Sequence, residues 1–211
     1  MYQQHKKLII ALLAAGGSRR FKGAKLAATL PTSQNAMILD SYAKLKQLTQ
    51  RVNIEGDTNL ELELVVILGG HQAILQPLLP DTAHCVVNSQ WALGLSTSVK
   101  CAAHYAKRQQ ASGLMLTLAD QVAINSEDYL QLITLWLQVK QTVASEYLNA
   151  PGVPAIFNHD DLADFSMLHG DRGAKPVLMK HKAQNRLDLL PLDCAAWDID
   201  TRDELERWKQ E

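Results

Sequence analysis

The sequence predicts a single-domain, three-layer α/β/α fold built on a mostly parallel sheet. Continuous apolar runs of strand length recur along the chain, stretches of helical length separate them, and the first two runs close on paired glycines. A strand covered on both faces shows no polar alternation, which is how a parallel strand under helices reads. Strand–helix repetition then implies parallel neighbours joined by right-handed crossovers.

The first strand is expected over Lys6–Leu13, closed by Gly16-Gly17, and the second over Leu62–Leu68, closed by Gly69-Gly70. His84–Val87 is a short third strand, and Leu114–Leu118 a fourth that ends at Ala119-Asp120. Helices are expected at Ala36–Gln50, Gln72–Leu79, Leu95–Gln109 and Glu127–Lys140, the last with Ser126 as N-cap and Glu127 and Asp128 in its first turn. Further on, the pattern predicts a strand near Ser145–Leu148, a turn at Pro151–Pro154, and an apolar piece at Ala155–Phe157. Short helices at Asp160–Leu168 and Gly173–His181, late strands at Arg186–Leu190 and Ala196–Ile199, and a terminal helix at Asp203–Lys209 follow. No repeat or linker interrupts the order, so residues 1–211 read as one domain.

At 211 residues the chain is long enough to bury roughly 70 % of its unfolded surface without a disulfide or metal staple. Lys plus Arg number 21 against 22 Asp plus Glu, so general phosphate attraction is absent and no nucleic-acid partner is expected. Cys85, Cys101 and Cys194 are an odd set without metal-ligand spacing, which suits free thiols in a cytoplasmic protein. The first apolar run, Leu8–Ala15, is eight residues, well under the roughly 20 of a membrane span, so no membrane partner is expected. Charge is uneven along the chain: Lys6, Lys7, Arg19, Arg20, Lys22 and Lys25 precede the first acid, Asp40. That asymmetry suits a compact anion.

The chemistry concentrates in Leu13-Ala14-Ala15-Gly16-Gly17-Ser18-Arg19-Arg20-Phe21-Lys22-Gly23-Ala24-Lys25. Glycines let backbone N–H groups approach phosphate, and Arg and Lys neutralise its charge. The loop lacks the Gly-Lys-Ser/Thr of a Walker A and the G-x-G-x-x-G of a dinucleotide fingerprint. A solvated basic turn is the alternative. Asp120 and Gln121 stand at the end of a buried strand, where open α/β sheets bind ligands, and a carboxylate there suits Mg²⁺ shared with phosphates. Asn88-Ser89-Gln90-Trp91 leads through Gly94 to the hydroxyls of Ser96, Thr97 and Ser98 at a helix start, which suits an anion or simply an ordinary capped helix with Trp91 in the core. Asp171 in Gly170-Asp171-Arg172-Gly173 reads as a loop-ordering acid or an N-cap, and Asp200 equally as a metal ligand or the cap of the last helix. The seven histidines form no HExxH or similar cluster.

The first loop resembles the LAAGxSxRxGxxK signature of the MobA-like nucleotidyltransferases, in particular the molybdenum cofactor cytidylyltransferases. Its Ala14-Ala15-Gly16 is similar to the CTP-using branch, where guanylyltransferases carry Ala-Gly-Gly; Lys22 is an extra cation in the Phe21–Gly23 step. Asn88–Ser98, Leu116–Gln121, Gly152–Phe157, His169–Lys175 and Trp197–Leu205 match the family's later segments in order, with Val122 and Arg202 where Pro is usual. The resemblance covers residue 8 to about 205 and implies a Rossmann-like sheet of the nucleotide-diphospho-sugar transferase type.

By the same resemblance, Lys25, Arg19, Arg20 and Asp120 are the catalytic set. Leu13, Ala14, Ala15, Gly16, Gly17, Ser18, Asn88, Gly94, Ser96, Ser98 and Ala119 bind the nucleotide. Gln121, Gly170, Asp171, Arg172 and Gly173 face the acceptor. Asp120, with Asp198 or Asp200, holds Mg²⁺ or its substitute Mn²⁺. The implied reaction transfers CMP from CTP to molybdenum-bound molybdopterin and releases pyrophosphate, with a xanthine-dehydrogenase-type apoenzyme as the further partner. The rivals are a GTP-using molybdopterin guanylyltransferase, a methylerythritol-phosphate cytidylyltransferase, or a non-catalytic molybdenum cofactor carrier.

Overall fold

The computed structural model describes residues 5–55 and 59–208. Seven strands, β1 (Lys6–Ala14), β2 (Leu60–Leu68), β3 (Cys85–Val87), β4 (Gly113–Leu118), β5 (Thr142–Tyr147), β6 (Ala150–Asn158) and β7 (Leu187–Pro191), form one sheet in the order β3-β2-β1-β4-β6-β5-β7. All neighbours are parallel except β6, which runs antiparallel to β4 and β5. The helices are α1 (Met37–Glu55), α2 (Gln72–Leu75), α3 (Leu95–Arg108), α4 (Ser126–Val139), α5 (Lys175–Ala183) and α6 (Arg202–Arg207).

The unbroken apolar run of β1 has a direct cause. Leu8, Ile10, Leu12 and Ala14 pack with Met37, Ile38, Leu45 and Leu48 of α1 and Leu132, Ile133 and Trp136 of α4. Ile9, Ala11 and Leu13 point the other way, toward Val99, Ala102 and Ala106 of α3 and Val177 and Leu178 of α5. With apolar partners on both faces, every residue from Leu8 to Ala14 contributes burial, about 1.5–3 kcal/mol for each large aliphatic side chain.

Sheet order positions the site. From β1 the chain builds outward through β2 and β3, then returns to place β4 on the other side of β1. Strand order therefore reverses between β1 and β4, and loops leaving these strands diverge to open a crevice at their carboxyl ends. Their parallel register pairs Leu13 with Leu118, so the basic loop and Asp120 emerge level with each other.

Three expectations are corrected. The N-cap of α4 is Asn125, whose side chain accepts from the N–H groups of Glu127 and Asp128 while Asp128 bonds back to the Asn125 N–H. Ser126 instead donates to the Lys44 carbonyl on α1 at 3.0 Å. The turn assigned to Pro151–Pro154 belongs to β6; the chain reverses at Leu148 and Asn149, both left-handed at φ 50° and 59°. The β5–β6 register slips between Ala144 and Ser145, and β4 pairs only from Ala155 onward, so neither proline breaks a regular ladder. Finally, Ala196–Ile199 is no strand: a 3₁₀ turn at Asp193–Ala196 leads into an extended segment that crosses the end of β4, and the Ile199 N–H donates to the Asp120 carbonyl at 3.3 Å. Asp160–Met167 is a 3₁₀ helix. The terminal helix starts one residue before its expected range, at Arg202, and runs to Arg207; Lys209 falls outside the described residues.

Candidate active site

The loop after β1 is shaped by what covers it. The Trp91 ring lies so close that a Cβ on Gly17 or Gly70 would come within 2.9 or 3.0 Å of it. The Gly70 N–H donates to the Ala15 carbonyl at 3.0 Å, and the His71 ring contacts the Gly17 carbonyl through Nε2 at 3.2 Å. Ser18 and Lys22 adopt left-handed φ of 49° and 55°, bracketing a turn closed by the Phe21 N–H on the Ser18 carbonyl. Phe21 is buried and anchors this bend, and the Arg202 guanidinium from α6 stacks on its ring at 5.2 Å.

From this loop Lys25 turns inward and is only 7 % exposed. Its Nζ donates to Asp120 Oδ2 at 2.6 Å and to Asp200 Oδ1 at 2.8 Å, and Arg20 pairs with the other oxygen of Asp200. Burial works to lower the Lys25 pKa, yet the two carboxylates outweigh it and the ammonium is held above its ordinary value. Asp200 shows the mirror image: burial favours its neutral form, but Lys25 and Arg20 keep the carboxyl below the usual range. Burial pushes the neighbouring Asp198 carboxyl up, and the charges of Asp200 and Asp120 add to the effect.

Lys25, Arg20, Asp120 and Asp200 share a cleft of about 370 Å³, which Asp198 does not line. Leu13 through Arg20, Lys25, Gly94, Ser98, Asp120, Asp171 and Asp200 all line it, as the sequence reading expects of a shared site. Gly94, at φ 105°, touches the Gly170–Asp171 backbone closely enough that a Cβ would lie 2.5 Å from the Gly170 carbonyl carbon. Asp200 is not the cap of α6, because Thr201 holds that role with Glu204 completing a capping box. Nor does Asp171 cap α5, whose N-cap position is Ala174.

Several predicted residues serve the site from behind. Asn88 is buried and donates to Thr97 and Ser98, fixing the turn before α3. Ser96 is buried, and the Ala119 carbonyl accepts from Ser41. Gln121 is also buried; its Nε2 bridges the carbonyls of Val153 and Ala195, and its Oε1 is unpartnered. Arg172 and Gly173 lie on an adjoining recess of about 230 Å³ walled by Leu13, Leu95 and Leu118. Sequence reasoning did not assign Leu118, Leu95 or Ala92 to the cleft, nor Tyr147 to the recess. Trp91, left between core and site, covers the glycines and lines the cleft; the pairs Gly16-Gly17 and Gly69-Gly70 are the signal that marks its platform.

The donor set suits a hard divalent cation. Asp120 Oδ1 is buried without a hydrogen-bond partner, and a second carboxylate, Asp200, stands across Lys25. Among the described residues no three His, Cys, Asp or Glu side chains converge as a closed cage. That arrangement fits an ion which keeps water and takes most of its remaining ligands from substrate phosphates.

The MobA-like NTP transferase domain profile matches residues 10–185. Among solved structures, the Mycobacterium sp. strain JC1 homologue of Mycobacterium tuberculosis Rv0371c is 25 % identical, with a TM-score of 0.71 over 95 % of this chain and 93 % of that one. Rv0371c from M. tuberculosis H37Rv in complex with manganese is 19 % identical, TM-score 0.67, over 96 % and 97 % of the two chains. A CMP:2-keto-3-deoxy-manno-octonic acid synthetase complexed with CTP shares the fold at 11 % identity, TM-score 0.66, over 96 % of each chain. No curated protein sequence matches the chain.

Proposed function

The chain belongs to the MobA-like NTP transferase family, and from that membership we propose that this nucleotidyltransferase moves CMP from CTP to an acceptor phosphate, with molybdenum-bound molybdopterin as acceptor. One observation carries the reading: Lys25 and Asp120 converge from two different loops on one cleft, 2.6 Å apart. A binder without chemistry needs the cations but has no use for a partly buried carboxylate opposite them.

An oxygen of the acceptor phosphate attacks the α-phosphorus in line. The new P–O bond forms as the bond to the bridging oxygen of the β-phosphate breaks, and that electron pair leaves with pyrophosphate. Lys25, Arg19 and Arg20 bind the β- and γ-phosphates and neutralise the charge that grows on the leaving group. Backbone N–H groups of Gly16–Ser18 hold the tail against the loop, and positioning replaces any covalent intermediate. Asp120, with Asp200 or Asp198, would hold Mg²⁺ or Mn²⁺, which supplies Lewis-acid stabilisation of the transferring phosphoryl group. Arg172, Asp171 and Gly173, with Gln121 behind them, would shape the acceptor side, and Gly170 supports them by packing against Gly94. The Ala14-Ala15-Gly16 form of the loop supports CTP over GTP. The product would pass to a xanthine-dehydrogenase-type apoenzyme. A cytoplasmic setting is supported by three free cysteines and by the lack, among the described residues, of any helix long and apolar enough to cross a membrane.

Pyrophosphate release is measured with CTP, GTP or ATP, Mg²⁺, and either molybdenum-loaded molybdopterin or methylerythritol phosphate. Turnover with CTP and the pterin supports the reading. Faster turnover with GTP overturns the base assignment, turnover only with the sugar phosphate overturns the acceptor, and no release with any pair leaves the carrier role.

A further inference from the structure

We propose that Lys25 is a built-in stand-in for the divalent metal, occupying its carboxylates in the free protein so that the ion enters only by displacing the ammonium, an exchange that a triphosphate tail makes favourable. The inference rests on the preceding reading, in which Asp120 and Asp200 take the ion. Lys25 Nζ sits between one oxygen of each carboxylate, at 2.6 and 2.8 Å, which is the position a bridging cation would take. The other oxygen of Asp120 is buried and unpartnered, so the ammonium satisfies only part of the available donor set.

Charge makes the exchange balanced. Two carboxylates, Asp120 and Asp200, face two unit cations, Lys25 and Arg20. One divalent ion carries the same charge as that pair. A triphosphate supplies the opposite charge needed to accept both side chains, and Arg20, 74 % exposed, is free to swing. Without the triphosphate, an arriving ion would push a nearly buried ammonium out with no anion to receive it. Metal alone therefore binds weakly, and metal and nucleotide bind with mutual reinforcement. Reciprocity of linked equilibria requires that nucleotide affinity rise by the same factor when the metal is present.

The test uses Mn²⁺ alone, read by the paramagnetic resonance signal of the free ion, with no nucleotide or acceptor present. The unaltered protein should bind Mn²⁺ at least tenfold more weakly than Lys25→Met, and adding Asp120→Asn to Lys25→Met should abolish the gain. Equal or weaker Mn²⁺ binding by Lys25→Met overturns the proposal. Should Lys25→Met fail to fold, the unaltered protein carries the test: Mn²⁺ should speed acylation of Lys25 by an N-hydroxysuccinimide ester at least threefold, read by peptide mass spectrometry. An unchanged rate overturns it. Neither arm contains substrates, so failure here leaves the pyrophosphate assay standing, and failure of that assay leaves the exchange standing.

Discussion

Lys25 Nζ donates to Asp120 Oδ2 across 95 positions of sequence, and this contact joins the basic loop after β1 to the acidic end of β4. The register that sets Leu13 beside Leu118 brings the two loops out of the sheet level with each other. The consequences can be tested residue by residue.

Asp120→Asn keeps the shape of the side chain but removes the charge. If Asp120 holds the metal, pyrophosphate release with CTP should fall at least a hundredfold, about 2.7 kcal/mol of transition-state stabilisation. Unchanged turnover would remove Asp120 from the metal site.

Gly69 is enclosed by backbone and side chains alike: a Cβ would lie 2.7 Å from the Trp91 Cβ and 2.8 Å from the Ala15 carbonyl oxygen. Gly69→Ala should cost about 1–3 kcal/mol by overpacking and raise the KM for nucleotide as the Trp91 platform shifts. Denaturant melts and substrate titration measure the two effects separately.

Asn125→Ala and Ser126→Ala distinguish the cap of α4. Losing the Asn125 side-chain Oδ1, which accepts from two backbone N–H groups, should cost about 0.5–2 kcal/mol, and losing the Ser126 hydroxyl should cost less. Equal losses in urea unfolding would contradict the observed geometry.

Stability should also fall in acid through Asp164. Its carboxyl accepts from Lys180 at 2.7 Å and from the fully buried His181 at 3.0 Å; Asp161 and Arg186 complete the cluster, and the Thr142 hydroxyl meets the other His181 nitrogen. The Lys180 hydrogen bond, opposed by burial and aided by His181, holds the Asp164 pKa below its ordinary value. The unfolded chain then binds the proton more readily than the native one. The contribution is present in full above the ordinary Asp range and is lost as pH drops through the lowered native pKa. Asp164→Ala should destabilise the protein by about 1–3 kcal/mol near neutrality and flatten the acid limb of the stability curve.

Much of the site was readable before the fold. Glycines, cations and the strand-terminal Asp120 stand out because few residue types suit phosphate and metal chemistry, and the structure gathers them in one cleft. The Pro151–Pro154 segment misled because prolines usually mark turns, whereas the left-handed pair Leu148 and Asn149 makes this one. Trp91 stayed ambiguous since nothing local tells an indole packed in a core from one lying over two glycine loops.

By itself the sequence determined the layered sheet, because an apolar run without alternation is stable only when both faces are covered, and it determined the concentration of positive charge in the loop after β1. The tertiary structure decided which acid answers Lys25. Asp198 and Asp200 are equivalent in pattern. Asp200 reaches the ammonium because the C-terminal segment is tied across β4, Ile199 to the Asp120 carbonyl and Ala195 to Gln121. Contacts between residues so distant in sequence depend on how the whole chain packs, and no local pattern encodes them.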